Sequence, residues 1–150
     1  MKKILTYLAF IVLVTGIGAL IGIMNIPGEW YQSLAKPSFN PPNWIFGPVW
    51  TTLYVLIGIA GARTWLAEGF SVRIKIWLAQ MMLNFLWSPA FFGLHSTGLG
   101  LVVILPMLAA IILFIATSWR ADRVSALLFL PYLAWVGFAT LLNASLFMLN

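Results

Sequence analysis

Hydrophobic positions fall into five long runs, roughly Ile4 to Ile26, Trp44 to Leu66, Ile76 to Leu94, Leu99 to Trp119 and Val124 to Leu149, separated by polar or charged stretches. A helix rising ~1.5 Å per residue needs about 20 residues to cross roughly 30 Å of hydrocarbon, and each run is of that order. The pattern predicts a fold that is all-α: an integral membrane bundle of five transmembrane helices forming one domain over residues 1–150. Lys2 and Lys3 precede the first run as they would a signal peptide. The run is long for that role and has no clear small-x-small cleavage site near Gly22, so it reads as a spanning helix.

The first connection, about Pro27 to Asn43, is the long one; the others are short, as between antiparallel neighbours in a bundle. Pro27, Pro37, Pro41 and Pro42 give it a stiff, extended or turned path, where a flexible linker would be rich in Gly and Ser. It is expected to be a structured first loop, a lid across the bundle. Pro89, Pro106 and Pro131 fall inside runs and are expected to bend their helices. Gly18 and Gly22, and Gly58 with Gly61, allow close helix approach; the Gly18-x-x-x-Gly22 spacing fits a dimer contact or packing within one chain equally well.

Composition sharpens the class. Hydrophobic residues make up 63% of the chain and charged residues 7%, against about 25% charged in a soluble domain. The net charge of +5 sits beside the apolar runs, which suits anionic lipid headgroups and gives no soluble face for nucleic acid. With five spans, one side collects Lys2, Lys3, Arg63, Arg73, Lys75, Arg120 and Arg123, and the other only Lys36. This asymmetry predicts a cytoplasmic N-terminus, an outside C-terminus and a first loop on the non-cytoplasmic side.

Cysteine is absent, which excludes disulfides and thiolate ligands. The three acids, Glu29, Glu68 and Asp122, lie in loops or at span ends, so no midplane carboxylate is available for ion coupling and no pair for acid–base catalysis. His95 is the sole histidine; it reads as a residue of the membrane interface, or as an axial haem ligand. No cluster suits a conventional metal site.

The chemistry left is aromatic, with eight Trp, four Tyr and eleven Phe. Trp30, Trp44, Trp65 and Trp119 fit an interfacial belt. Trp50 and Tyr54 lie four apart on one face inside the second run, and Trp135, Ala139 and Leu142 form a similar stripe in the fifth. Gln80, Asn84 and Ser88 follow at i, i+4 and i+8 in the third run, with Phe91 extending the line. Amides are costly in hydrocarbon unless partnered, so this face points into the bundle, either as interhelical hydrogen bonds or as a pocket wall.

Several motifs resemble the tryptophan-rich sensory protein / translocator protein family. They are Trp30-Tyr31, Leu34, Lys36-Pro37, Pro41-Pro42, Phe46, Pro48-Val49-Trp50-Thr51 and Leu53-Tyr54, then Asn84, Trp87-Ser88 and Phe91-Phe92, then Pro131-Tyr132, Trp135, Phe138-Ala139-Thr140 and Leu142-Asn143. They run in order over nearly the whole chain. The resemblance implies a five-helix bundle, commonly a homodimer, that binds porphyrins and in some members cholesterol or benzodiazepine-type and isoquinoline drugs. By position it implies a pocket lined by Tyr31, Pro41, Trp50, Tyr54, Asn84, Ser88, Phe91, Trp135, Ala139 and Leu142. Two departures stand out. The vertebrate sterol motif, with Tyr and a basic residue, is missing after Asn143, and Pro89 stands where some relatives have an amide.

A porphyrin is an aromatic plate with two propionates at one edge. It would stack on Trp50, Trp135, Tyr31 or Tyr54, with its carboxylates toward Lys36, Asn40, Asn43 and the indole N–H groups at the first loop. Porphyrin or a related tetrapyrrole is then a ligand, with no cofactor required, membrane lipid as neighbour and no nucleic acid. The expected role is receptor, sensor or carrier. The alternative is light-dependent oxidative degradation of the bound porphyrin through Trp50 and Trp135, driven by the macrocycle's own photochemistry.

Overall fold

A computed structural model describes residues 1–150. Its regular structure is entirely helical: α1 (Lys2–Met24), α2 (Glu29–Ser33), a 3-10 turn (Asn43–Ile45) running into α3 (Phe46–Glu68), α4 (Val72–Ser88) continued by a π turn (Pro89–Gly93), α5 (Thr97–Ala121), α6 (Arg123–Leu128) and α7 (Leu130–Leu149). Four stretches, Lys2–Met24, Asn43–Glu68, Thr97–Ala121 and Arg123–Leu149, are long and apolar enough to cross a membrane. The third of the five expected spans is not among them. Its α-helix has 17 residues, carries Arg73 and Lys75 in its opening turn and stops at Pro89.

Local chemistry explains where the helices begin and end. Gly69 terminates α3 with φ +62, a conformation open to a residue without Cβ. Ser71 then starts α4 four residues before the expected Ile76, its Oγ accepting from the Ile74 N–H at 3.3 Å. At the other end the ladder widens. Leu94 N–H donates to the Pro89 carbonyl at 2.9 Å and Ser96 N–H to the Phe91 carbonyl at 3.1 Å, both five residues back. The expected fifth run is broken at Phe129, and Pro131 lies in the first turn of α7, where its missing N–H costs nothing. Phe129 fills the break from inside, fully buried with its ring 4.3 Å from Phe114 and 5.3 Å from Tyr132. Pro106, in contrast, sits within an uninterrupted α5.

The helices pack mainly α1 on α3, α4 on α5 and α5 on α7, with α6 bridging α3 and α5. Large apolar side chains cover the outside, among them Leu8, Val12, Met82, Val102 and Leu141, while Ile57, Ile104, Met107, Ile111, Phe114 and Val136 fill the centre. This outward-apolar arrangement suits lipid as solvent. Glycines set the closest approaches. A Cβ on Gly58 would lie 2.9 Å from the Ile11 Cα, and one on Gly61 would enter the Trp77 indole. Trp77 is fixed there by donating its indole N–H to the Ile57 carbonyl at 3.0 Å. Gly18 faces the Tyr54 ring, so half of the Gly18/Gly22 pair serves packing within the chain.

Two ion pairs close the end of the bundle that holds the 2–3 and 4–5 connections. Arg63 grips Asp122 with two bonds of 2.9 and 3.0 Å, and Ser125 Oγ donates to the same carboxylate at 2.6 Å. Arg63 foremost, then Ser125, hold the Asp122 carboxyl at about 2 against the opposing effect of burial, so it stays ionised at neutral pH. Arg73 is buried; it donates to Glu68 at 2.8 Å and to the Thr64 hydroxyl at 3.1 Å. Two of the three acids are therefore engaged in ion pairs.

Candidate functional site

A cavity of about 590 Å³ lies between α1, α3, α4 with its π turn, α5 and α7, with first-loop residues in its wall. Nine of the ten expected site residues line it: Tyr31 from α2, Trp50 and Tyr54 from α3, Asn84 and Ser88 from α4, Phe91 from the π turn, and Trp135, Ala139 and Leu142 from α7. Helical spacing is what collects them, since residues four apart share a face and these faces converge. The Trp50 and Tyr54 rings sit 5.5 Å apart, and Trp135 is braced by Phe46 at 5.7 Å and Phe138 at 5.7 Å. Trp87 stacks on Phe91 at 4.9 Å and closes the opposite wall.

The polar line of α4 serves both of the roles open to it. Asn84 accepts from the Tyr54 hydroxyl at 3.2 Å and donates to the Tyr132 hydroxyl at 2.7 Å, and Tyr132 in turn donates to Gln80 Oε1 at 2.8 Å. This chain runs from the cavity wall into the core, where Gln80 and Tyr132 are fully buried. A second tie fixes Trp87: its indole N–H donates to Asn143 Oδ1 at 3.1 Å, and Asn143 donates to the Thr97 carbonyl at 2.8 Å. Buried networks of this kind rigidify a wall only while every member is satisfied. Tyr132→Phe strands Gln80 Oε1 and one Asn84 N–H, and is expected to cost about 1–3 kcal/mol. Thermal unfolding in detergent measures it, and an unchanged midpoint would show that the chain contributes nothing.

A family model described as the TspO/MBR family matches residues 8–149. The chain belongs to the TspO/MBR family. Among its relatives, the tryptophan-rich protein TspO of Archaeoglobus fulgidus is 47% identical over 124 residues, covering 81% of this chain and 80% of the relative. The tryptophan-rich sensory protein of Cereibacter sphaeroides is 39% identical over 150 residues, 97% of this chain and 90% of the relative. The translocator protein of Homo sapiens is 35% identical over 139 residues, 87% and 82% respectively. It is thus a TspO/MBR membrane protein with several apolar helices.

Some expectations need correction against the TspO/MBR site as built. Pro41 does not line the cavity. The second half of the loop swings toward α7, where Phe39 packs on Phe138 at 6.2 Å, and Pro27, Tyr31 and Asn43 supply the loop's part of the wall. Lys36 is not free to meet an anion. Its ammonium donates to the carbonyls of Tyr31, Gln32 and Leu34 at 2.8, 3.3 and 3.3 Å and lies 4.6 Å from the centre of the Tyr31 ring. Asn40 is held by the Tyr31 hydroxyl in a long bond of 3.4 Å. Burial raises the Tyr31 phenol above its ordinary value, more than the Asn40 bond lowers it, so Tyr31 stays a neutral donor. His95 lies outside the cavity and stacks on Trp30 at 5.1 Å.

The α1 wall escapes a reading based on polar and aromatic residues. Thr15, Gly18, Ala19, Gly22, Ile23 and Ile26 line the cavity as one stripe. Their i, i+3, i+4, i+7 spacing and the small residues in it are the only available signal. Trp87 and Asn143 also line the cavity; both fall within motifs shared with the family, yet neither lies on the expected stripes.

Proposed function

We propose that this protein binds a porphyrin or related tetrapyrrole in the aromatic cavity and acts as a receptor, sensor or carrier, without a required cofactor. The observation that carries the reading is that Trp50, Trp87 and Trp135, from three different helices, line one mostly apolar space. Its volume falls within the ~300–1,000 Å³ of small-molecule sites, and each aromatic contact with a flat ring system adds roughly 0.5–1.5 kcal/mol beyond burial. With Lys36 engaged, the propionates are to be met by Asn25 and Asn43, which line the cavity near its mouth, and by water. The relatives' names, sensory protein and translocator protein, fit a binding or carrier role.

The same reading takes α4 with its π turn as a fifth span. Residues 72–93 together cover roughly 30 Å. The excess of Lys and Arg at the end that holds α1's start and the 2–3 and 4–5 connections supports a cytoplasmic N-terminus and an outside C-terminus. Family membership supports a homodimer in the membrane.

A dark titration of detergent-solubilised protein with protoporphyrin, read by tryptophan fluorescence, tests the binding. Saturable micromolar quenching is expected, weakened about five- to thirtyfold in a Trp50→Phe/Trp135→Phe double variant, the loss of ~1–2 kcal/mol of stacking. Quenching that never saturates, or that ignores both substitutions, would mean partition into detergent. The three cavity indoles also favour a second reading, light-dependent degradation of the bound porphyrin. It requires bound porphyrin to bleach faster under light than free porphyrin, and Trp50→Phe or Trp135→Phe to prevent this.

A further inference from the structure

We infer that Asn150 is the latch of the first-loop lid and sets how fast a ligand enters and leaves the cavity without touching it. The loop from Pro27 to Pro42 lends Pro27 and Tyr31 to the cavity wall. Its own hydrogen bonds are local: Gln32 to Gly28, Leu34 to Tyr31, Asn40 to Pro37, and the Lys36 ammonium to three carbonyls. Apart from the Ile45 N–H to Pro42 carbonyl bond, where the loop runs on into the 3-10 turn, two hydrogen bonds join this loop to the helices, and one side chain makes both. Ala35 N–H donates to Asn150 Oδ1 at 2.9 Å, and Asn150 Nδ2 donates back to the Ala35 carbonyl at 3.0 Å.

This reciprocal pair is what a primary amide, with one donor and one acceptor side by side, can offer a peptide unit. The second amide hydrogen aims the group by donating to the Leu146 carbonyl one turn earlier at 2.8 Å. A residue that only finished α7 would need that last bond and not the other two. The loop is otherwise held by apolar packing: Tyr31 and Trp30 lie on Phe91, Phe92 and His95, Leu34 joins the same cluster as Leu146, and Phe39 meets Phe138 at 6.2 Å. Such contacts are less directional than hydrogen bonds. The amide pair is the directional constraint on the loop's second half, and lid motions of this kind gate many binding sites.

The test uses Asn150→Ala, which removes the clasp, and Asn150→Asp, which keeps an acceptor for Ala35 N–H but sets a carboxylate against two carbonyls. Amide hydrogen exchange at Ala35 is expected to quicken about tenfold in Asn150→Ala, the effect of losing one to two net hydrogen bonds. Stopped-flow mixing with protoporphyrin in the dark should show association and dissociation both faster by a similar factor, with Kd within about threefold of wild type. Unchanged exchange at Ala35 would overturn the latch, as would faster exchange with unaltered ligand rates. An effect confined to dissociation would make Asn150 a ligand contact instead. The kinetic arm rests on the porphyrin reading. If wild-type protein binds no porphyrin, that reading falls while Ala35 exchange still decides the latch.

Discussion

Gly58→Leu is expected to be the most damaging single change in the bundle, lowering stability by at least about 3 kcal/mol. The cause is the neighbour that a side chain would meet. Its Cβ would stand 2.9 Å from the Cα and 3.1 Å from the N of Ile11, and backbone atoms cannot rotate aside as a side-chain tip can. Relief requires α1 to lift from α3, its main packing partner. In lipid, where helix association depends on close van der Waals contact, that separation removes much of what holds α1 in place. Thermal unfolding in detergent reads the effect. Gly22→Ala is the control: a Cβ there meets nothing within 4 Å, so its midpoint should hold or rise slightly with the gain in helix propensity. Equal midpoints for the two variants would show that α1 and α3 are not held at the distance described.

Gly22→Phe should strongly weaken porphyrin binding while leaving the fold intact. Gly22 lies in the cavity stripe of α1, between Gly18 and Ile26, with open space where a side chain would project. A phenyl ring placed there occupies volume that the plate needs, and its Cβ meets no atom within 4 Å. Kd for protoporphyrin is expected to rise at least roughly thirtyfold, ~2 kcal/mol, with an unfolding midpoint close to that of wild type. Wild-type affinity in a folded Gly22→Phe protein would place the ligand elsewhere.

The convergence of Trp50/Tyr54, Asn84/Ser88/Phe91 and Trp135/Ala139/Leu142 on one cavity is legible in the sequence because helical spacing fixes which residues share a face, and amides and indoles in hydrocarbon must turn inward. What spacing leaves open is how far a face extends. Gln80 belongs to the Asn84 line, but it is buried one turn below the cavity and bonded to Tyr132. Helix ends are set by single residues whose effect depends on neighbours. Pro89 opens a π turn, Pro106 leaves α5 continuous, and Pro131 follows a break that Phe129 fills. Of the four tryptophans expected at the interface, Trp44, Trp65 and Trp119 are exposed at span ends, while Trp30 packs on Phe91 and His95. The first loop is the segment whose course local pattern determines least. Prolines announce its stiffness, but the fate of Lys36 and the position of Pro41 follow from the small helix Glu29–Ser33 and from a clasp to a residue more than a hundred positions away.

A structure of the protein crystallised with protoporphyrin in the dark tests the binding site most directly. The expected result is a plate between Trp50 and Trp135, with its propionates at the Asn25 and Asn43 end of the cavity. Of the two indoles, Trp135 also borders a second space on the outside. A shallow groove on the outer face of the bundle, lined by Pro48, Thr52, Pro131, Ala134 and Trp135, offers the alternative seat. A porphyrin lying in that groove, with the interior cavity empty, would contradict the assignment.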